Sequence, residues 1–246
     1  YQNAITSKTK LIYLESPNTF SFDVQNLAEV AKIAKANGIL TMIDNSYCTP
    51  LYQQPIAYGI DLVAQSATKY LGGHSDLMGG VVTGKKALLE QIFNNEYMNI
   101  GASLAPQNAW LLLRGLRTLP IRMDKISENA NKVISYLENH PKVSHVLHPF
   151  SEKNENLALA KKQMKNAGGL FSIVLRATTL QQVEIFCNSL QRFFMAVSWG
   201  GHESLVIPSA VSIRPEEFNP AEERHRLIRL YVGLEDADYL ISDLKQ

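Results

Sequence analysis

Apolar and polar positions alternate along this chain in blocks that change period, and the blocks define its elements. Leu11 to Leu14 is a short apolar run closed by Glu15, Ser16 and Pro17, which predicts a strand. From Val24 to Asn37 the apolar residues Leu27, Val30, Ala31 and Ala34 recur at helical spacing, and Gly38 is placed to cap the end. Ile39 to Ile43 predicts a second strand ending at Asp44. A third begins at Leu62, beyond Pro50 and a segment through Tyr58 and Gly59. Strand, helix, strand, helix-like segment, strand is the order of a parallel sheet, whose ligands bind beyond the carboxyl ends of the strands. Glu15, Asp44 and the stretch from Ser66 to Lys69 all fall at such ends.

Farther along, Val81 and Val82 predict one more strand, and Lys86–Tyr97 and Gln107–Leu119 predict helices. Pro120 marks a boundary, followed by an amphipathic segment, Met123–Glu138, that leads into a second domain. There the pattern gives strands at Val143–Leu147, Leu170–Leu175, Phe194–Val197 and Leu227–Val232. Helices are predicted at Asn156–Asn166 and Leu180–Leu190, with a last one at the C-terminus. The expected architecture is an α/β domain over residues 1–121 and a smaller α+β domain over residues 122–246.

Composition narrows the function. Hydrophobic residues make up 46% of the 246 and charged residues 19%, an ordinary globular balance. Lys and Arg number 24 against 23 Asp and Glu, so no basic field attracts nucleic acid or an anionic membrane, and neither partner is expected. No apolar run approaches the roughly 18 residues of a membrane span, and no signal-peptide pattern is present. Cys48 and Cys187 lie far apart, outside any CxxC spacing, which fits a reducing compartment; Cys48 follows Asp44 closely enough to lie near a pocket, with a buried structural thiol the preferred reading. A cytoplasmic enzyme without a metal is expected; His74 and Asp76 have no second pair at ligand spacing.

The stretch DLVAQSATKYLGGHSD, Asp61 to Asp76, is where chemistry concentrates. A buried strand empties into two hydroxyls, Ser66 and Thr68, then Lys69, then Gly72 and Gly73. In an extended segment Ser66 and Thr68 share one side and Lys69 takes the other. Two hydroxyls that hold a phosphate beside an amine that attacks a carbonyl suit pyridoxal phosphate, whose usual attachment is a lysine Schiff base. Read without further context, Lys69 is a surface cation, Asp44 caps a turn, and Arg229 makes a strand-edge ion pair.

SATKYLGGHSD, IDNS ending at Ser46, ESP at Glu15–Pro17, VSWGGHESL at Val197–Leu205 and LIRLYVGLED at Leu227–Asp236 together closely resemble the pyridoxal-phosphate-dependent cysteine and methionine metabolism family, the trans-sulfuration enzymes. The resemblance implies the aminotransferase-like fold type I. It makes Lys69 the catalytic lysine, Asp44 the partner of the cofactor's ring nitrogen, Ser66 and Thr68 phosphate ligands, and Arg229, assisted by Ser198, the holder of the substrate carboxylate. Two hydrogen bonds to a phosphate supply roughly 3–6 kcal/mol, short of the ~8 of micromolar binding. The resemblance accordingly implies further ligands from a neighbouring subunit and a homotetramer with active sites shared across a dimer interface. It begins partway into the family's large domain, so an N-terminal part, with an aromatic ring that stacks on the cofactor, is expected to be missing.

Within the family, ESPNTFSFDVQ, with Thr19 in place of a usual Asn, and SWGGHES are similar to bacterial cystathionine β-lyases. Trp199 is expected in the substrate pocket or in the core; the roles of Asn18 and Thr19 stay open. The activity implied is carbon–sulfur bond cleavage, with cystathionine β-elimination first, and a γ-acting lyase, synthase or sulfhydrylase as the alternative. A noncatalytic assembly subunit is the alternative of another class.

Overall fold

A computed structural model describes residues 1–245. The first three predicted strands form as β1 (Leu11–Glu15), β2 (Leu40–Asp44) and β3 (Leu62–Ser66), and they pair in parallel in the order β1-β2-β3. Strand β4 (Gly80–Gly84) adds to the edge antiparallel to β3. Helix α1 (Leu27–Ala36) crosses from β1 to β2, capped at its start by the Asn26 side chain, which accepts from Glu29 N. Gly38, just past its end, takes φ +65°, the left-handed conformation that closes a helix at little cost to glycine. Its buried face, Leu27, Val30, Ala31 and Ala34, packs on Ile12, Leu14, Ile43 and Val63 of the sheet.

Helix α2 (Lys86–Ile92) is shorter than the 86–97 helix expected, and continues as a wider turn over Phe93–Tyr97. Pro120 does not end a helix, contrary to the sequence reading: α3 runs unbroken from Pro106 to Glu138. Proline removes a single N–H from the ladder. Leu119, Met123, Ile126, Ala130, Val133 and Leu137 keep one buried stripe on both sides of it, and that packing holds the helix together.

The second sheet has the order β5-β6-β9-β8-β7, from strands β5 (Val143–Leu147), β6 (Leu170–Leu175), β7 (Phe194–Met195), β8 (Leu205–Pro208) and β9 (Leu227–Tyr231). It is antiparallel except for β7 and β8. The sequence pattern does not mark β8, and β7 is shorter than the 194–197 run. Between the sheets, Tyr70, Met123, Ile126, Leu170, Leu205 and Tyr231 share one core. The residues that follow β3 therefore sit at the junction of the two sheets. Among the described residues no helix is long and apolar enough to cross a membrane.

Candidate active site

Parallel pairing in register brings the strand ends together: Glu15 lies opposite Asp44, and Asp44 opposite Ala64. Asp44 Oδ1 accepts from Ser46 N at 2.8 Å, the turn geometry that a bare aspartate after a strand leads one to expect. Ser46 Oγ in turn accepts from Ser66 N at 2.6 Å and ties the loop after β2 to the end of β3.

Extended backbone stops at Ser66, so the alternation expected of Ser66, Thr68 and Lys69 does not extend past it. Residues Ala67–Leu71 form a wide turn closed by Gly72 N donating to Ala67 O at 2.8 Å, with Lys69 itself off helical geometry at φ −89°, ψ −133°. Thr68 Oγ1 is engaged by Gly79, accepting from its N at 3.1 Å and donating to its O at 3.4 Å. The Lys69 amine donates to Ser198 Oγ at 2.8 Å and lies 5.2 Å from the centre of the Trp199 ring. Trp199 also meets Tyr70 edge-on with centroids 5.3 Å apart, so it reaches both the amine and the core. Ser198 thus contacts the lysine, whereas the resemblance implied that it assists Arg229.

Arg229, in the middle of β9, is 8% exposed. Its Nη1 donates to Thr19 Oγ1 at 3.3 Å, its Nη2 donates to the Val197 carbonyl, and its guanidinium lies 4.8 Å from the centre of the Phe20 ring. The ESPNTF segment after β1 and the segment that opens SWGG are both fastened to one guanidinium. Phe20 adopts φ +79°, a backbone conformation rare outside glycine, and it faces this group.

The charges act on one another. Burial lowers the Lys69 amine below the usual lysine range; the positive charge of Arg229 adds to this and Asp44 opposes it. Burial, then the Asp44 carboxylate, raises Glu15, while the Thr19 backbone and Arg229 pull it back. Arg229 is lowered by burial and held up by Glu15. An amine is a nucleophile only when neutral, so a partly desolvated lysine beside a second cation suits attachment of a carbonyl compound. With Asp44 at the neighbouring strand end and hydroxyls at Ser46 and Ser66, the donor set fits pyridoxal phosphate.

The sequence reading gave Phe20, Ser46 and Gly200 no role. Gly200, at φ +90°, packs so closely on the lysine that a Cβ would come within 2.9 Å of Lys69 Cα and 2.8 Å of Tyr70 N. The paired glycines of SWGG were the available signal for that close approach. Cys48 and Cys187 are buried free thiols, with burial raising Cys187 to about 12.

The family model described as Cys/Met metabolism PLP-dependent enzyme matches residues 1–246. The chain is 41% identical to the cystathionine gamma-lyase of Bacillus subtilis (strain 168), covering 100% of this chain and 65% of that protein. It is also 41% identical to the cystathionine beta-lyase of Lactococcus lactis subsp. cremoris (strain MG1363), over 99% of this chain and 64% of the relative. A crystal structure of cystathionine gamma-lyase from Lactobacillus plantarum complexed with L-serine superposes with a TM-score of 0.90 at 38% identity, over 99% of this chain and 65% of that one. The chain thus spans a little under two thirds of the length of the relatives it matches. Over all its residues it belongs to the Cys/Met metabolism PLP-dependent enzyme family.

Proposed function

We propose that this protein is a pyridoxal-phosphate-dependent carbon–sulfur lyase acting on a sulfur amino acid, with β-elimination of cystathionine as its reaction. The observation that carries the reading is the Lys69 amine, held at 2.8 Å by Ser198 Oγ and depressed in pKa by burial and by Arg229. Bound pyridoxal phosphate supplies the electron sink that lets a proton leave the substrate α-carbon. Lys69 is the point of attachment and then the base that takes that proton; Ser198 fixes the amine's direction. Asp44, as a carboxylate, favours a protonated ring nitrogen, and Ser66 and Thr68 are phosphate donors. Thr68 must share its hydroxyl with Gly79.

Arg229 holds the substrate carboxylate in its planar fork, exchanging its bonds to Thr19 and Val197 for those to the ligand. Residues 1–121 supply the cofactor's ligands and residues 122–246 the carboxylate arginine, in a homotetramer with sites shared between subunits. Trp199, 5.2 Å from the amine, lines the space beside the lysine where substrate would sit, and the β-lyase reading rests on the likeness of SWGGHES and ESPNTFSFDVQ to bacterial cystathionine β-lyases. The γ-acting reading is supported by the 41% identity to a γ-lyase, equal to that with a β-lyase.

Products separate the two. With L-cystathionine and added cofactor, β-elimination yields pyruvate, ammonia and homocysteine, whereas a γ-lyase yields 2-oxobutanoate, ammonia and cysteine. Release of 2-oxobutanoate alone would overturn the β assignment. No product from a protein that carries cofactor on Lys69 would favour an assembly role.

A further inference from the structure

The turn that carries Lys69 is fastened from behind by the long helix α3. Gly115 of that helix lies so close that a Cβ there would overlap the carbonyl oxygens of Leu71 and Gly72. Two helical turns on, Arg122 is 5% exposed, and among the described residues no carboxylate pairs with it. Its nitrogens serve three acceptors: Nε donates to Thr118 Oγ1 at 3.0 Å, Nη1 to Tyr70 O at 2.9 Å and Nη2 to Gly115 O at 2.9 Å. Gly73, at φ +68°, completes the enclosure, since a Cβ at that position would overlap the guanidinium.

A buried cation without a carboxylate is costly unless its N–H groups find acceptors, and three of the five on Arg122 end on oxygens. Here one of them ends on the carbonyl of Tyr70, the residue after Lys69, inside a turn whose dihedrals are irregular at that lysine. A flat guanidinium bridging Tyr70 O and Gly115 O fixes the distance between turn and helix, which a flexible ammonium cannot do.

We infer that Arg122 is a positioning residue for Lys69: by holding the Tyr70 peptide against α3 it sets the direction in which the lysine amine meets Ser198. The inference rests on the proposed role of Lys69 as the attachment lysine.

The test compares Arg122→Met and Arg122→Lys with Val133→Ala, a buried position of the same helix packed in the second sheet's core. Trace acetylation with acetic anhydride across pH, on each protein after bound pyridoxal phosphate has been removed and read by peptide mass at Lys69, gives the amine's titration midpoint, and a thermal melt gives the stability of each variant. Loosening the turn exposes the amine, so Arg122→Met should raise the midpoint by about half a pH unit or more. Arg122→Lys, which keeps one donor, should recover part of that shift, and Val133→Ala should lower the melting temperature without moving the midpoint. Arg122 variants that melt early but leave the Lys69 midpoint where Val133→Ala leaves it would overturn the inference. If Arg122→Met does not fold, Arg122→Lys decides by the same criterion. Borohydride reduction of the wild-type protein with added cofactor tests the underlying reading separately: an adduct on another lysine refutes the cofactor role, while the acetylation profile still reports whether Arg122 positions Lys69.

Discussion

Substituting Gly200 by alanine should damage the lysine site more than the fold. At φ +90° an alanine pays roughly 1–2 kcal/mol of left-handed strain, offset by ~0.4–1 from the stiffer unfolded chain. The new methyl would also sit 2.9 Å from the Lys69 Cα and carbonyl carbon, about 0.5 Å inside the 3.4 Å at which ordinary contact begins. Both neighbours are backbone and cannot swing away, so overpacking adds about 1–3 kcal/mol. The total of about 1–5 kcal/mol, centred near 3, corresponds to a fall in melting temperature of roughly 3–15 °C for a chain of this size. Gly38 supplies the control: it has φ +65° but nothing within 4 Å of its virtual Cβ, so Gly38→Ala should cost only about 1 kcal/mol. The decisive readout is the pH profile of Lys69 acetylation. A half-ångström retreat of the lysine backbone lengthens its bond to Ser198 and admits water, moving the amine back towards the ordinary lysine range. Equal melting shifts for Gly200→Ala and Gly38→Ala, with the same Lys69 profile in both, would refute the reasoning.

Arg229→Met and Asp44→Asn should move Lys69 in opposite directions. Loss of the cation raises the amine pKa and loss of the carboxylate lowers it, so movement of both in one direction on a Lys69 titration would contradict the electrostatics. Arg229→Lys gives up the planar fork, and a lost charge-assisted bond of roughly 1.5–3 kcal/mol predicts at least a tenfold fall in kcat/KM, measurable with L-cystathionine. His148 is 3% exposed, its Nδ1 accepts from Phe150 N at 3.3 Å, and burial lowers its pKa to about 3 from 6.5. The unfolded chain therefore binds the extra proton first. The stability His148 contributes is complete above pH 6.5 and is lost as pH falls towards 3, by at most about 5 kcal/mol. Denaturant titrations of His148→Gln should give a flatter profile over that interval; an unchanged slope would exclude this histidine as the cause.

The strand ends that carry the site were legible because parallel strands place their carboxyl ends together. Glu15, Asp44 and Ser66 could be grouped from periodicity before any contact was known. Arg229 could not: it reaches Thr19 only through the order β6-β9-β8, and no local pattern encodes that register. Strand β8 was hidden because its four residues follow the glycines and charges of GGHES and end in Pro208, which masks their strand character. Pro120 misled in the other direction. A proline is a strong local stop signal, but a buried stripe that continues on both sides of it stabilises more than one absent N–H costs. Arg122 is a charged residue within a stripe of apolar positions, but with no motif around it the sequence supports only a structural reading.

Attachment of pyridoxal phosphate to Lys69 underlies every role proposed for this site. Intact mass after incubation with cofactor and borohydride reduction, followed by peptide mapping, tests it directly. One pyridoxyl adduct should appear on the peptide carrying Lys69 and be absent in Lys69→Ala. An adduct on a different lysine, or one that survives that substitution, would contradict it.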